Sequence, residues 1–226
     1  MTARQLPLDL PSRTALDRDA FFVSESNATA LAMVEDWQSW PGRKLALSGP
    51  PGSGKTHLAH VWAELSGARI VSIDALTDAT VPKLARHHAV AVEGLDAVAE
   101  LPDPQPVEAA LFHLHNLLAA DGGHLLLTGR GAPSSWIFAT ADLTSRVLAA
   151  GHAPMGSPDD ALIQAVIVKI AADRQLALAP NVPNFLAHRL ERSLDTVARA
   201  VEALDRAALA AHRRVNTGFA REVLGL

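Results

Sequence analysis

Eight consecutive residues constrain this chain more than any other feature: Gly49-Pro50-Pro51-Gly52-Ser53-Gly54-Lys55-Thr56. They fit G-x-x-x-x-G-K-[ST] in full. A short apolar run, Lys44–Ser48, precedes them and reads as a buried strand. A helical pattern from about Lys55 to Leu65 follows. Strand, glycine-rich turn and helix in that order form a phosphate cradle. The glycines let backbone N–H groups turn inward toward phosphate oxygens. The helix start adds the positive end of its dipole. In such a loop Lys55 reaches the β- and γ-phosphates and the Thr56 hydroxyl is a Mg²⁺ ligand. Pro51, Gly52, Ser53, Gly54, Lys55 and Thr56 are therefore the expected phosphate-binding set.

A site of this kind needs an acid at the end of a neighbouring buried strand. The run Ala89-Val90-Ala91-Val92 ends in Glu93, the candidate second metal-side residue. Many ATPases place another carboxylate at the following position to orient the attacking water. Here that position is Gly94, and Asp96, two residues further on, is expected to point elsewhere. The pattern predicts nucleotide binding with weak or no hydrolysis by the chain itself.

Helical and strand patterns alternate along the first two thirds. Helices are expected over Ala28–Trp40, Lys55–Leu65, Val107–Ala120 and Leu143–Ala150. Strands are expected at Lys44–Ser48, Arg69–Ile73, His88–Val92, His124–Thr128 and Ala153–Met155. Alternation of this kind gives a parallel sheet covered by helices on both faces. After Gly156-Ser157-Pro158 only helical patterns occur, over Asp159–Gln175, Val182–Glu191, Leu194–Arg213 and Phe219–Leu224. The expected organisation is an extended arm at 1–19, an α/β nucleotide-binding domain at 20–156 and a small helical lid at 157–226.

Composition closes off other classes. The chain has no Cys, so disulfide scaffolds, cysteine zinc sites and thiol nucleophiles are excluded. It has no Tyr and 4% aromatic residues, a poor supply for stacking on single strands. A net charge of −4 argues against a protein that coats nucleic acid, while leaving room for a local basic patch. No apolar run reaches the roughly 18 residues of a membrane span. Met1–Pro11 lacks the apolar stretch of a signal peptide, so a cytoplasmic protein is expected. His87, His88, His113 and His115 do not share ligand spacing with a carboxylate or a third His, and no metal centre of their own is expected.

Three segments carry a family resemblance. Ser48 to Leu58, with Gly54-Lys55-Thr56-His57-Leu58, resembles the DnaA family of bacterial replication initiators, in which G-K-T-H-L is typical. Phe22 to Asn27 resembles the segment that precedes the first helix of those proteins and lies near the adenine. Asp142-Leu143-Thr144-Ser145-Arg146 resembles their arginine-finger segment. The likeness runs from about residue 20 to the end and implies the AAA+ type of P-loop fold. Within this chain no DNA-reading domain follows the lid, a layout that resembles the Hda-type regulators of the family. Gln5-Leu6-Pro7-Leu8-Asp9-Leu10 resembles the sliding-clamp-binding motif at the start of those regulators. An exposed arm can offer Leu6, Leu8 and Leu10 as apolar anchors, with Gln5 as a polar register contact.

The resemblance implies a role and partners. A regulator of this type binds adenine nucleotide, ADP or ATP with Mg²⁺, and docks on the DNA polymerase III sliding clamp (its β subunit). It promotes hydrolysis of ATP held by the initiator DnaA. Arg146 would be the finger donated in trans, and His57 and Phe22 would lie beside the nucleotide. AAA+-type domains associate head to tail, so a homodimer is a further expected assembly. Any DNA contact would be indirect or weak. Two departures stand out. Asp195 occupies the position of the family's sensor-two lid arginine, and Arg130 stands where an acid is common. A carboxylate beside phosphates is repulsive without an intervening cation. Two alternatives stay open: a free-standing ATPase such as a helicase loader, and a non-catalytic clamp–initiator adaptor with a degenerate nucleotide site.

Overall fold

The computed structural model describes Arg18 and residues 20–226. The expected arm, with Gln5, Leu6, Leu8 and Leu10, lies outside the described residues. Among the described residues, five strands form one sheet. They are β1 (Lys44–Ser48), β2 (Arg69–Ser72), β3 (Ala89–Glu93), β4 (His124–Gly129) and β5 (Gly151–Pro154), in the spatial order β2-β3-β4-β1-β5. Every pairing is parallel. All five strands therefore end on the same edge, where open α/β sheets bind ligands.

Side-chain alternation explains why the sheet is covered twice. In β1, Leu45 and Leu47 enter one apolar cluster while Ala46 enters the other; in β4, Leu126 opposes Leu125 and Leu127. Successive strand residues point to opposite faces, so a continuous apolar run needs a layer on each side. One layer is α1 (Ala28–Glu35) and α2 (Lys55–Ser66), whose Leu58, Val61 and Trp62 are fully buried. The other is α3 (Val81–Ala85), α4 (Gln105–Ala120) and α5 (Ala141–Leu148), with Leu111, Leu114 and Leu118 on the inward stripe of α4. Each such Leu stabilises the fold by roughly 1.5–3 kcal/mol relative to leaving it exposed.

The C-terminal helices are α6 (Asp160–Asp173), α7 (Val182–Ala187), α8 (Leu194–Ala211) and α9 (Thr217–Leu224). They close a separate core around Ile163, Ile167, Val197, Val201 and Leu204. In α8 the buried residues Val197, Ala200, Val201, Leu204 and Ala208 recur at helical spacing. Caps fix three helix starts: Asp159 accepts from Leu162 N, Ser193 from Thr196 N and Asn216 from Phe219 N. The sheet layers and the helical tail agree with the expectations from sequence. None of the described helices is long and apolar enough to cross a membrane.

Local differences have physical causes. The helix expected to reach Trp40 stops at Glu35 and gives way to two 3₁₀ turns. Trp40 leaves the helix path to stack on Trp62, ring centroids 5.1 Å apart, and its indole N–H donates to Met33 O. The first turn of α4 starts earlier than expected, because Pro106 is tolerated where the N–H has no partner. Strand β5 is Gly151–Pro154 rather than Ala153–Met155; its register against Leu45–Ser48 sets those limits. Helix α3 and the 3₁₀ turn Leu95–Glu100 are too short to leave a periodic signal.

Candidate nucleotide-binding site

The sheet edge assembles the site. Gly49 N donates to Gly129 O at 3.3 Å, so the phosphate loop is rooted against β4. Gly94 N donates to Thr128 O at 3.0 Å, which ties the end of β3 to the same strand. Gly52 and Gly54 take φ +65° and +97°, backbone that side chains rarely adopt. Gly54 is the residue immediately before α2, so the loop delivers Lys55 and Thr56 to a helix start. The predicted loop residues are thus brought together as a cradle. Ser53 is buried and the Thr56 side chain is exposed.

Lys55 is turned back on its own loop. Its Nζ donates to Gly49 O at 2.9 Å and to Pro50 O at 2.8 Å, with Ser53 Oγ at 3.5 Å. Burial holds its pKa below the usual lysine value; the carboxylates of Asp96, Asp195 and Glu93 oppose that shift, and Arg130 adds to it. Asp96, expected to face elsewhere, is therefore part of the site's field. It accepts from Arg130 N at 2.9 Å, and the Arg130 side chain pairs with it at 3.6 Å. Glu93 ends β3 with a buried Oε1 that has no hydrogen-bond partner among the described residues. An orphaned carboxylate oxygen beside a phosphate loop fits water-mediated Mg²⁺ binding, with the Thr56 hydroxyl as the direct ligand.

The lid start sits on the loop, which sequence did not reveal. Leu194 N donates to Gly52 O at 2.8 Å. A Cβ added at Gly52 would lie 2.9 Å from Ser193 Cα, so only glycine fits there. Two helix N-termini, those of α2 and α8, thus converge on one phosphate loop. Asp195 lies in the first turn of α8 and is felt by Lys55. Ser193 caps α8, and its approach to Gly52 joins distant parts of the chain and leaves no local pattern.

Phe21 packs edge-on against His57, centroids 5.1 Å apart. Phe22 is exposed instead and lines a groove of about 490 Å³ with Ala165, Val168 and Lys169 of α6. The segment is fixed by Asn27, which is buried: Asn27 Oδ1 accepts from Ser24 N and its amide donates to Phe22 O, both at 2.9 Å. Gly156 N then donates to Ser26 O, joining this segment to the start of the lid.

Arg146 stands at the other end of the sheet. Its charge acts on Lys44, which opens β1, and on His115; it is not among the charges that act on Lys55. Parallel strand residues rise roughly 3.3 Å each, so the length of β1 separates Lys44 from the phosphate loop. The guanidinium donates to Asn116 Oδ1 at 2.9 Å, lies 4.5 Å from the Phe112 ring centroid and reaches Asp142 at 3.4 Å. Its side chain remains a third exposed. His115 is buried beside it. Burial first, then the Lys44 and Arg146 charges, push the imidazole down to about 4.

Comparison with known proteins agrees with this geometry. A family model described as Hda, lid domain, matches residues 159–224. Domain III of the Thermotoga maritima replication initiation protein DnaA superposes with a TM-score of 0.76 at 18% identity, covering 93% of this chain and 95% of that one. AMPPCP-bound DnaA from Aquifex aeolicus gives 0.67 at 16% identity, covering 85% of this chain and 66% of the other. The Thermotoga maritima RuvB Holliday junction branch migration motor gives 0.69 at 15% identity, covering 93% and 72%. The chain thus spans nearly all of the isolated initiator domain and about two thirds of the longer DnaA chain. Residues 159–224 thus match a lid of the Hda kind, and they follow a phosphate loop on a five-stranded parallel sheet whose fold is similar to that of DnaA domain III.

Proposed function

We propose that this protein is a regulator of replication initiation that binds an adenine nucleotide and acts on nucleotide held by a DnaA-type partner. The observation that carries this reading is the separation of Arg146 from its own phosphate loop. The guanidinium is held on the opposite end of the sheet by Phe112, Asn116 and Asp142, and a third of its side chain is exposed. An arginine so placed cannot serve its own nucleotide but can serve a neighbour's. Donated arginines stabilise charge on the transferring phosphoryl oxygens and are worth about 10³–10⁵ in rate.

In this reading Gly52, Gly54 and Lys55 hold the nucleotide phosphates, with Pro51, Ser53 and the α8 start completing the loop. Thr56 and Glu93 hold Mg²⁺, which would neutralise phosphate charge. His57 and the Phe21–Phe22 segment flank the nucleotide. Gly94 leaves the attacking water without a carboxylate at that position, so self-hydrolysis is weak or absent. The arm residues Gln5, Leu6, Leu8 and Leu10 dock on the sliding clamp. Binding of AMPPCP by the Aquifex aeolicus DnaA supports an adenine nucleotide as the ligand.

The test is the single-turnover decay of ATP bound to the cognate initiator, with DNA-loaded clamp present. The expected result is acceleration by the wild-type protein that disappears in Arg146→Ala. Acceleration that survives in Arg146→Ala would overturn the finger assignment. A second reading, a clamp–initiator adaptor, is favoured by Asp195 at the loop and by Arg130 drawn onto Asp96. It predicts no acceleration at all, and loss of clamp binding when residues 1–11 are removed.

A further inference from the structure

A second, smaller concavity lies on the lid, away from the phosphate loop. It measures about 370 Å³ and is formed between α7 with its following turn and the start of α9. Its lining includes Asn181, Asn184, His188 and Thr217, together with Arg189 and Arg221. Both guanidiniums gather on one ring. Arg189 lies 4.2 Å and Arg221 5.6 Å from the Phe185 centroid.

Three observations give this cleft a ligand preference. First, no carboxylate lines it, and neither Arg189 nor Arg221 is among the ion pairs of the described residues. Among the ion pairs of the described residues, the acid that reaches the lining is Asp160, 4.0 Å from His188, and Arg192 already holds it at 2.8 Å. Second, the neutral lining is rich in donors. Asn181 precedes α7 without capping it, and Asn184 accepts from Gln164 through its Oδ1, which leaves its N–H₂ available as a donor. Thr217 and Arg221 are four residues apart on α9 and share a face. Third, the apolar part of the cleft is Phe185, and Arg189 covers that ring. A peptide partner would need an open apolar anchor site; a phosphodiester needs only donors and positive charge.

We propose that this cleft binds a backbone phosphate of nucleic acid, weakly and without regard to sequence. Guanidinium forks match phosphate oxygens in pairs. Two guanidiniums sharing one ring without a counter-charge repel each other, and a phosphate between them removes that repulsion. Over residues 159–226, Lys and Arg outnumber Asp and Glu, the reverse of the whole chain's balance of 20 against 24. The lid therefore approaches a polyanion with less repulsion than the rest of the molecule.

The experiment is fluorescence anisotropy of a mixed-sequence duplex oligonucleotide with the full-length protein, from low to moderate salt. The variants are Arg189→Gln, Arg221→Gln and the pair together; Lys55→Ala reports the phosphate loop separately. The expected result is measurable low-salt binding, with the double variant weaker by about tenfold or more. Its log–log salt slope should fall by about 0.9 for each phosphate that is no longer neutralised. Lys55→Ala should leave both quantities unchanged. Wild-type affinity and slope in the double variant would overturn the proposal, as would failure of the wild-type protein to bind duplex at low salt. Loss of pyrophosphate binding in the double variant without any duplex binding would reassign the cleft to a small free anion. Loss of poly-glutamate binding with duplex binding intact would reassign it to an acidic peptide. Matching thermal melts for wild-type and variants exclude unfolding as the cause.

Discussion

Lys55 and Arg146 are both cations suited to phosphate, and they stand at opposite ends of one sheet under opposite conditions. Lys55 is drawn into its own loop by the Gly49 and Pro50 carbonyls, partly desolvated and faced by Asp96, Asp195 and Glu93. Arg146 is steadied by an amide, a ring and one carboxylate on α5 and α4, and keeps a third of its side chain in solvent. An ammonium on a flexible stem can rotate from loop carbonyls to phosphate; a guanidinium never deprotonates and holds a fixed fork direction. The difference supports the proposal that Lys55 serves the chain's own ligand and Arg146 a neighbour's.

The comparison can be broken most decisively at Arg146. Arg146→Ala should lower the acceleration of initiator-bound ATP decay by about 10³-fold or more while leaving this chain's own ADP affinity unchanged in calorimetry. A parallel drop in ADP affinity would mean that the two ends are not independent.

The Arg146 end also refuses a proton. His115 is held down to about 4, below its ordinary value of 6.5. Above pH 6.5 the imidazole is neutral whether folded or unfolded, and this part of stability is fully present. As pH falls from 6.5 toward 4, the unfolded chain takes a proton that the fold rejects, so stability is lost. That depression corresponds to at most about 3 kcal/mol across the window. His115→Gln should flatten the decline in urea-unfolding free energy between pH 7 and about 4.5. An equally steep decline in the variant would place the pH sensitivity elsewhere.

At the other end, Lys55→Ala removes a charged donor from the phosphates and should weaken ADP binding by about 2 kcal/mol, roughly thirtyfold. Arg146→Ala in the same titration is the contrast. Gly52→Ala tests the junction of loop and lid. Its Cβ would meet Ser193 and its φ of +65° would be strained. A loss of about 1–2 kcal/mol, with the melting midpoint down by about 2–8 °C, is expected in scanning calorimetry. An unchanged melt would mean that α8 lifts from the loop at little cost.

Much of the fold was legible because it rests on local periodicity. Alternating burial in Leu45–Leu47 and Leu125–Leu127, and the inward stripe of α4, follow directly from residue order. Short elements were not legible. Five-residue α3 and the 3₁₀ turn after Gly94 are stabilised by their neighbours rather than by their own pattern. The end of α1 was misplaced because Trp40 leaves the helix path and stacks on Trp62, a contact across elements that no local period announces. The phosphate loop was fully legible, since its glycines, lysine and threonine act through consecutive backbone positions.

The sequence by itself determined the phosphate loop, the covered parallel sheet, the helical tail and the acid at the end of β3. Each depends on spacing within a few residues, where covalent geometry leaves little choice. Only the tertiary structure decided that Ser193 and Leu194 rest on Gly52, that the Asp96 charge acts on Lys55, and that Arg146 is held by Phe112 and Asn116. It also decided that Arg189 and Arg221 meet on one ring. Those contacts join residues from different elements, and their geometry is set by how whole layers pack rather than by any local pattern.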